Sequence, residues 1–394
     1  MKNILTANQL YKSQSDFSKL AFEKGNLLPR RYVFVLTNLC NLKCTFCFQE
    51  RKKRADRMHT SDWMNVISQI PANSRITLTG GEPLVYKDFK EIFVRANQIG
   101  ETNIVTNGLL LDNENIDAVY ISTPHVFHAD LTIKAAGKGK HILCEKPGAV
   151  NFKQTYEVIE KVKEAGVFYK EGFMYRCHPQ IPALINLIKN KTIGNINLII
   201  SSFGFDMKKI IPDHRLFDKS LAGGSILDVG LYPVSFSRII AGAALGKKFV
   251  NPTSISADAR IGETGVDELA SAKLFFEHNI TADISTSIMQ NMDNNAVIEG
   301  ENGKIIVDDP WMPGRDGGPY DTKIRVITNS GEKVEEFKGP EHLFFFEAEL
   351  ASQTILKQRT EVPYPGMTWD DSLGNIKVLD MWREEIGYNL EEDN

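Results

Sequence analysis

Ile116 to Pro147 reads IDAVYISTPHVFHADLTIKAAGKGKHILCEKP, and this stretch decides the architecture. Ala118-Val119-Tyr120-Ile121-Ser122 is a short apolar strand. Phe127 to Ala136 follows as a helix, and His141-Ile142-Leu143-Cys144 as a second strand. Strand, helix and strand in this order make a parallel βα unit. Glu145-Lys146-Pro147 then stands at the carboxyl edge of the second strand, where parallel sheets bind their ligands.

Downstream, Asn151 caps a helix with Phe152, Tyr156, Ile159 and Val162 on one stripe, closed by Gly166. Phe168 to Met174 is a further strand. From Ile196 to Val334 the pattern changes. Asn195–Phe205, Ser254–Ile261, Ala270–Glu277, Thr281–Met289, Lys304–Asp308 and Lys323–Thr328 have β character with turns between them. Strands in such succession predict a large, mostly antiparallel open sheet. A closing helix runs from Ser372 to Ile386, with Ile376, Leu379 and Trp382 on one face.

Three more segments stand out. They are Gly172-Phe173-Met174-Tyr175-Arg176 with His178-Pro179, then Gly223-Gly224-Ser225-Ile226-Leu227-Asp228-Val229-Gly230-Leu231-Tyr232-Pro233, and the tail from Trp369 to Arg383. With the opening stretch, these blocks resemble the Gfo/Idh/MocA oxidoreductases across about residues 116–388. The resemblance implies NAD or NADP as cofactor and a sugar, polyol or cyclic diol as substrate. Moving a hydride from a carbinol requires removal of its hydroxyl proton, and the resemblance implies that the lysine of the E-K-P motif, here Lys146, performs or supports that step. A surface lysine in a turn is the plain alternative. Asp228 and Tyr232, four residues apart and so on one helical face, would reach the substrate hydroxyls. A helix cap is the other reading of Asp228. Many relatives carry His where Tyr232 stands, and a phenol ionises only near pH ~10. Thr123, Pro124, His125, His128, Glu145 and Arg176 would meet the cofactor. The two histidines read equally as turn residues, and Arg176 as a structural ion pair.

Upstream, Tyr32–Leu36, Arg75–Thr79 and Asn103–Thr106 are strand candidates, and Phe89 to Ile99 is a helix. Another helix begins with a Thr60 or Ser61 cap. Between the first strand and that helix lie Cys40, Cys44 and Cys47, a C-x-x-x-C-x-x-C loop. Three thiolates at this spacing can hold three irons of a 4Fe–4S cluster. A zinc knuckle or a chance cluster is the alternative. The spacing, Phe46 before the third cysteine, Gly80-Gly81-Glu82-Pro83 and Thr106-Asn107-Gly108 together resemble the radical S-adenosylmethionine superfamily. That likeness covers about residues 28–116 and implies S-adenosylmethionine on the open iron. Gly81 and Glu82 would line its amino group, Gly80 would belong to the same cofactor site, and Phe46 would lie near its adenine. The further βα units of that family are absent.

A dinucleotide enzyme needs G-x-G-x-x-G after its first strand, so that main-chain amides can approach the diphosphate. No such motif precedes Ile116. The expected architecture is therefore partial radical-SAM βα units (1–115), the remaining half of a Rossmann-like sheet (116–172) and an α+β substrate and dimerisation domain (173–394). Residues 1–112 carry 16 Lys/Arg against 10 Asp/Glu, and the rest 30 against 40, so the two parts differ in character. The net charge of -4 points to neither nucleic acid nor an anionic membrane. No run approaches the ~18 apolar residues of a membrane span. Five cysteines, three of them crowded together, suggest a reduced compartment, the cytoplasm, rather than a disulfide framework. Cys144 and Cys177 read as plain buried residues. The expected function is an NAD(P)-dependent oxidoreductase, forming a homodimer through the C-terminal sheet. A radical-SAM or iron–sulfur protein and a non-catalytic fusion product are the alternatives.

Overall fold

The computed structural model describes residues 31–41, 58–72, 74–107, 110, 116–313, 321–339 and 342–393. The chain divides after Asp117 into two compact units. Cys44, Cys47 and Phe46 lie outside the described residues.

In the first unit, β1 (Arg31–Thr37), β2 (Arg75–Gly80) and β3 (Glu101–Ile104) form a parallel sheet in that order. Ile76 and Leu78 of β2 pack with Trp63 and Ile67 of α1 (Thr60–Ser68) and with Phe89, Ile92 and Phe93 of α2 (Phe89–Ile99). Each fully buried side chain of this kind contributes roughly 1.5–3 kcal/mol. The cap of α1 differs from expectation. His59 takes that position, with its N–H donated to Asp62. The Thr60 hydroxyl is committed elsewhere, to Asp88 at 2.6 Å. β3 also sits two residues earlier than its apolar pattern suggested. Thr106 and Asn107 are drawn off the ladder to the Glu82 carboxylate.

The second unit begins with β4 (Ala118–Ile121), β5 (His141–Glu145) and β6 (Tyr169–Gly172), parallel and in that order. α3 (His128–Gly137) links β4 to β5, and α4 (Phe152–Ala165) links β5 to β6. Asn151 caps α4 by accepting from the Gln154 N–H, and Gly166 closes it at φ 65°. The buried stripe of α4 is Thr155, Val158, Ile159 and Val162. Phe152 and Tyr156, assigned to it from sequence, are 39% and 52% exposed and stack on each other. The core side of the helix is rotated by about one residue, a shift that spacing alone cannot detect. β6 stops at Gly172, because Met174–Cys177 forms a helical turn.

The remaining strands make an eight-stranded sheet in the order β14-β13-β12-β11-β7-β10-β9-β8. They are β7 (Ile196–Gly204), β8 (Ser254–Ile261), β9 (Asp267–Phe275), β10 (Thr281–Ser287), β11 (Ala296–Gly300), β12 (Gly303–Val307), β13 (Thr322–Thr328) and β14 (Gly331–Phe337). Only β7 and β10 pair in parallel. Sequence reading overlooked β11 and β14. The latter, GEKVEEF, is a charged edge strand without apolar alternation.

α5 (Gln180–Lys189) precedes this sheet in the chain, and α6 (Leu231–Ala244) packs on β7 and β10. Lys219–Ala244 contains an 18-residue window apolar enough for a membrane span by composition, and that window is wholly buried inside the protein. After α7 (Leu343–Leu356), α8 (Trp369–Glu385) packs on α6, on β8 and back on α4. Its Ile376, Leu379 and Trp382 are buried. This returning helix ties the parallel sheet to the eight-stranded one within the compact unit 118–394.

Candidate functional site

Lys146 leaves the carboxyl end of β5, and Thr123 to His125 leave that of β4. The two strands are parallel neighbours, so both loops open on one edge of the sheet. Asp228 comes to the same place from a π-turn, Ile226–Gly230, that leads into α6. The local sequence explains how this turn is held. Gly224 has φ 110°, and a Cβ there would strike the Asp267 carboxylate. Asp267 Oδ2 accepts from Ser225 Oγ and from the Ile226 N–H, both at 2.7 Å, which fixes the start of the turn.

Lys146 Nζ donates to the Asp228 main-chain oxygen and reaches its carboxylate Oδ1 at 3.3 Å. Arg215 Nη1 lies 2.8 Å from that same oxygen, and His125 Nε2 4.0 Å from it. Burial alone would raise the Asp228 carboxyl. The adjoining Lys146 and Arg215 outweigh it and hold the group well below the usual carboxylate range. His125 is the converse case. Burial first, then Lys146, push its imidazole down to about 3, so it is neutral at physiological pH. Its Nδ1 faces the Ala222 carbonyl at 3.1 Å. A carbonyl only accepts, so Nδ1 carries the proton and Nε2 offers a lone pair toward Asp228.

His128 bridges the two loops, its Nδ1 2.7 Å from the Pro147 oxygen and its Nε2 2.7 Å from the Thr123 oxygen. Glu145 receives the Tyr120 hydroxyl at 2.5 Å. The turn after Pro147 is braced from below, because Glu171 accepts from the Gly148 N–H at 2.8 Å and from Ser372 Oγ at 2.6 Å. Pro124 immediately precedes the helical turn His125–Phe127.

Tyr232 lies under Lys146, whose ammonium is 5.6 Å from the ring centroid. The ring packs among Phe173, Tyr175, Phe203 and Trp311, and its hydroxyl meets Met174 Sδ at 3.2 Å. Burial raises its pKa well above that of a free phenol. Arg176 is not gathered with these residues. It is fully buried, paired with Asp371 at 2.6 Å and bonded to Ser235 and the Pro365 carbonyl. Cys144 is buried within β5, and Cys177 is half-buried.

In the first unit the structure brings the glycine pair to the start of the cysteine loop. The Gly81 N–H donates to the Thr37 carbonyl at 2.7 Å and that of Glu82 to Leu39 at 2.8 Å. A Cβ on Gly80 or Gly81 would collide with those carbonyls. The Glu82 carboxylate is buried and accepts from the Leu84 N–H, Thr106 Oγ1 and the Asn107 N–H. Asn107 Nδ2 in turn points at Cys40 Sγ, 3.7 Å away. Among the described residues no group of three or more His, Cys, Asp or Glu could hold a metal ion.

Sequence reasoning missed Arg215, Asp267 and Glu171. None stands at helical or strand spacing from its partner, and each meets it only through the fold.

Residues 34–175 match the Radical SAM superfamily, and residues 182–306 match the GFO/IDH/MocA C-terminal domain. The chain is 30% identical to trans-1,2-dihydrobenzene-1,2-diol dehydrogenase of Mus musculus over 290 residues, 72% of this chain and 81% of that protein. It is also 30% identical to the Xenopus tropicalis enzyme of that name over 287 residues, 71% and 81%. Similar folds include KijD10, a 3-ketoreductase from Actinomadura kijaniata solved with NADP and TDP-benzene. That likeness has TM-score 0.63 and 22% identity, covering 82% of this chain and 93% of that one. Aldose-aldose oxidoreductase from Caulobacter crescentus, complexed with glycerol, has TM-score 0.63 at 23% identity, covering 83% and 93%. Motif order, site and likeness together show that the chain belongs to the Gfo/Idh/MocA family of NAD(P)-dependent oxidoreductases, with a Radical SAM superfamily segment fused ahead of it.

Proposed function

We propose that this protein interconverts a ring hydroxyl and the matching ketone of a sugar, polyol or cyclic diol with NADP(H), in the cytoplasm. The observation that carries this reading is Lys146 Nζ, held on the Asp228 carboxylate at the carboxyl edge of β5 beside a neutral His125. In support, the similar KijD10 was solved with NADP, and the curated relatives are diol dehydrogenases. We read the β4-β5-β6 sheet as the remaining half of a dinucleotide-binding sheet. The nicotinamide end fits a cofactor here, because Thr123 Oγ1 is buried with no described partner. Thr123, Pro124, His125, His128 and Glu145 would line it. The diphosphate end has no glycine-rich turn of its own in the sequence.

When bound, the nicotinamide supplies or takes up the hydride. In ketone reduction the Lys146 ammonium passes a proton to the oxygen that becomes the hydroxyl. In oxidation the amine takes the proton back. Asp228 aims Lys146 and keeps its charge compensated. The Tyr232 ring forms the floor beneath it, and His125 Nε2 can accept from a substrate hydroxyl. We assign Arg176, paired with Asp371, to the fold rather than to the cofactor. We also assign a homodimer to the open face of the eight-stranded sheet. A monomeric mass in analytical ultracentrifugation would remove that assignment.

The test is an NADP(H)-linked absorbance assay over a panel of sugars, polyols and cyclic diols. Wild type should turn over at least one of them. Lys146→Ala should lose about 10²–10⁴ in kcat, the worth of a positioned proton-transfer group. A wild type that neither binds NAD(P) nor turns over any member refutes the proposal.

A further inference from the structure

The carboxylate that orients Lys146 is shared with a second cation of different exposure. Arg215 Nη1 and Lys146 Nζ touch one oxygen, Asp228 Oδ1, at 2.8 and 3.3 Å. The two donors are therefore no more than about 6 Å apart, two hydrogen-bond lengths through a shared acceptor. The Lys146 side chain is 15% exposed and that of Arg215 44%. Lys146 thus sits within the site and Arg215 at its mouth. A guanidinium carries five N–H donors in a planar fork. One goes to Asp228, and no other described residue accepts from the rest.

The Asp228 carboxylate faces two cations beside a neutral His125, and the half-exposed one is the Arg215 fork.

We propose that Arg215 makes this site selective for a sugar acid, a polyol bearing a carboxylate within two or three bonds of the reacting carbon. The proposal rests on the dehydrogenase reading and names its substrate class. With the reacting hydroxyl on Lys146, such a carboxylate reaches the fork. It can be held there by two parallel N–H donors, a geometry that arginine offers and lysine does not. Arg215 then turns from Asp228 to the substrate, and Asp228 is left to Lys146 alone. A neutral sugar cannot displace that ion pair and meets the mouth with the fork still closed on Asp228.

The probes are D-glucuronate and its neutral near-isostere D-glucuronamide, against wild type, Arg215→Gln and Arg215→Lys. Titration calorimetry reads binding without turnover, and an NADP⁺-linked assay reads kcat and KM. Wild type should prefer the acid by about tenfold or more in both, with the difference in KM. Arg215→Gln should abolish the preference, and Arg215→Lys should retain part of it. Equal binding of acid and amide by wild type overturns the proposal, and so does an undiminished preference in Arg215→Gln. A calorimetric preference lost in Arg215→Gln, with no NADP⁺-linked turnover of any sugar, upholds the anion site and refutes the dehydrogenase reading. Turnover of neutral sugars without acid preference does the reverse.

Discussion

Replacing Asp371 with Asn tests whether Arg176 serves the fold. Asp371 lies between two buried guanidiniums, with Arg176 Nη2 2.6 Å from Oδ2 and Arg238 Nη1 2.6 Å from Oδ1. The arginine side chains are 0% exposed and that of Asp371 is 1%. Breaking a buried pair costs about 3–5 kcal/mol, because the stranded charge cannot regain its hydration. Asn keeps one accepting oxygen but turns an amide donor toward the other guanidinium, so a value near the middle, about 4 kcal/mol, is expected. In a domain of this size each kcal/mol moves the melting temperature by about 2–4 °C, giving a fall of about 10 °C. The assay is thermal unfolding followed by circular dichroism, without ligand. Glu164→Gln is the control, since it removes an exposed pair with Lys161 at 2.8 Å and should leave melting unchanged. If Asp371→Asn melts within about 2 °C of wild type, the charge argument is wrong. If it instead weakens NADP(H) binding at unchanged stability, Arg176 serves the cofactor after all.

Three shorter predictions concern the site and the front unit. Burial raises the Asp267 carboxyl to about 6 against the opposition of its hydrogen bonds, while the unfolded value is near ~3.9. Its stabilising contribution is thus fully present below about pH 4 and lost as pH rises through 6, a swing of about 3 kcal/mol. Urea unfolding across that window should show a shallower pH slope in Asp267→Asn than in wild type, and identical slopes would contradict the assignment. Tyr232→Phe keeps the ring under Lys146 and deletes a hydroxyl that meets the Met174 thioether. Turnover should fall by less than about tenfold, below the loss in Lys146→Ala, and equal losses would make the phenol the proton-transfer group. Anaerobic reconstitution with iron and sulfide should give an iron-dependent absorbance in wild type that Cys44→Ala lacks. Its absence from wild type, or its persistence in the variant, removes the cluster.

Much of the candidate site's placement was legible in the sequence. Lys146 follows an apolar strand, and a residue just past the end of a parallel strand is placed at the ligand edge by chain geometry alone. Thr123 and His125 follow the neighbouring strand for the same reason. The Asn151 cap and the Gly166 stop of α4 are local too, since each acts on backbone groups within one helical turn. Patterning failed where the relevant force was not periodic. β14 has no apolar alternation to detect, and Phe152 and Tyr156 look like core residues until the rotation of α4 is known.

The sequence alone thus determined the two unlike ancestries and the order of most elements, and it named residues that the fold gathers around Lys146, because backbone preference and motif spacing are local. Tertiary structure decided how those side chains are charged and held. Arg215, thirteen residues from Asp228, shares its carboxylate with Lys146, eighty-two residues away. Asp267 anchors the turn beneath them from another strand. Ionisation depends on burial and on charges a few ångströms off, and those distances exist only once the chain has folded.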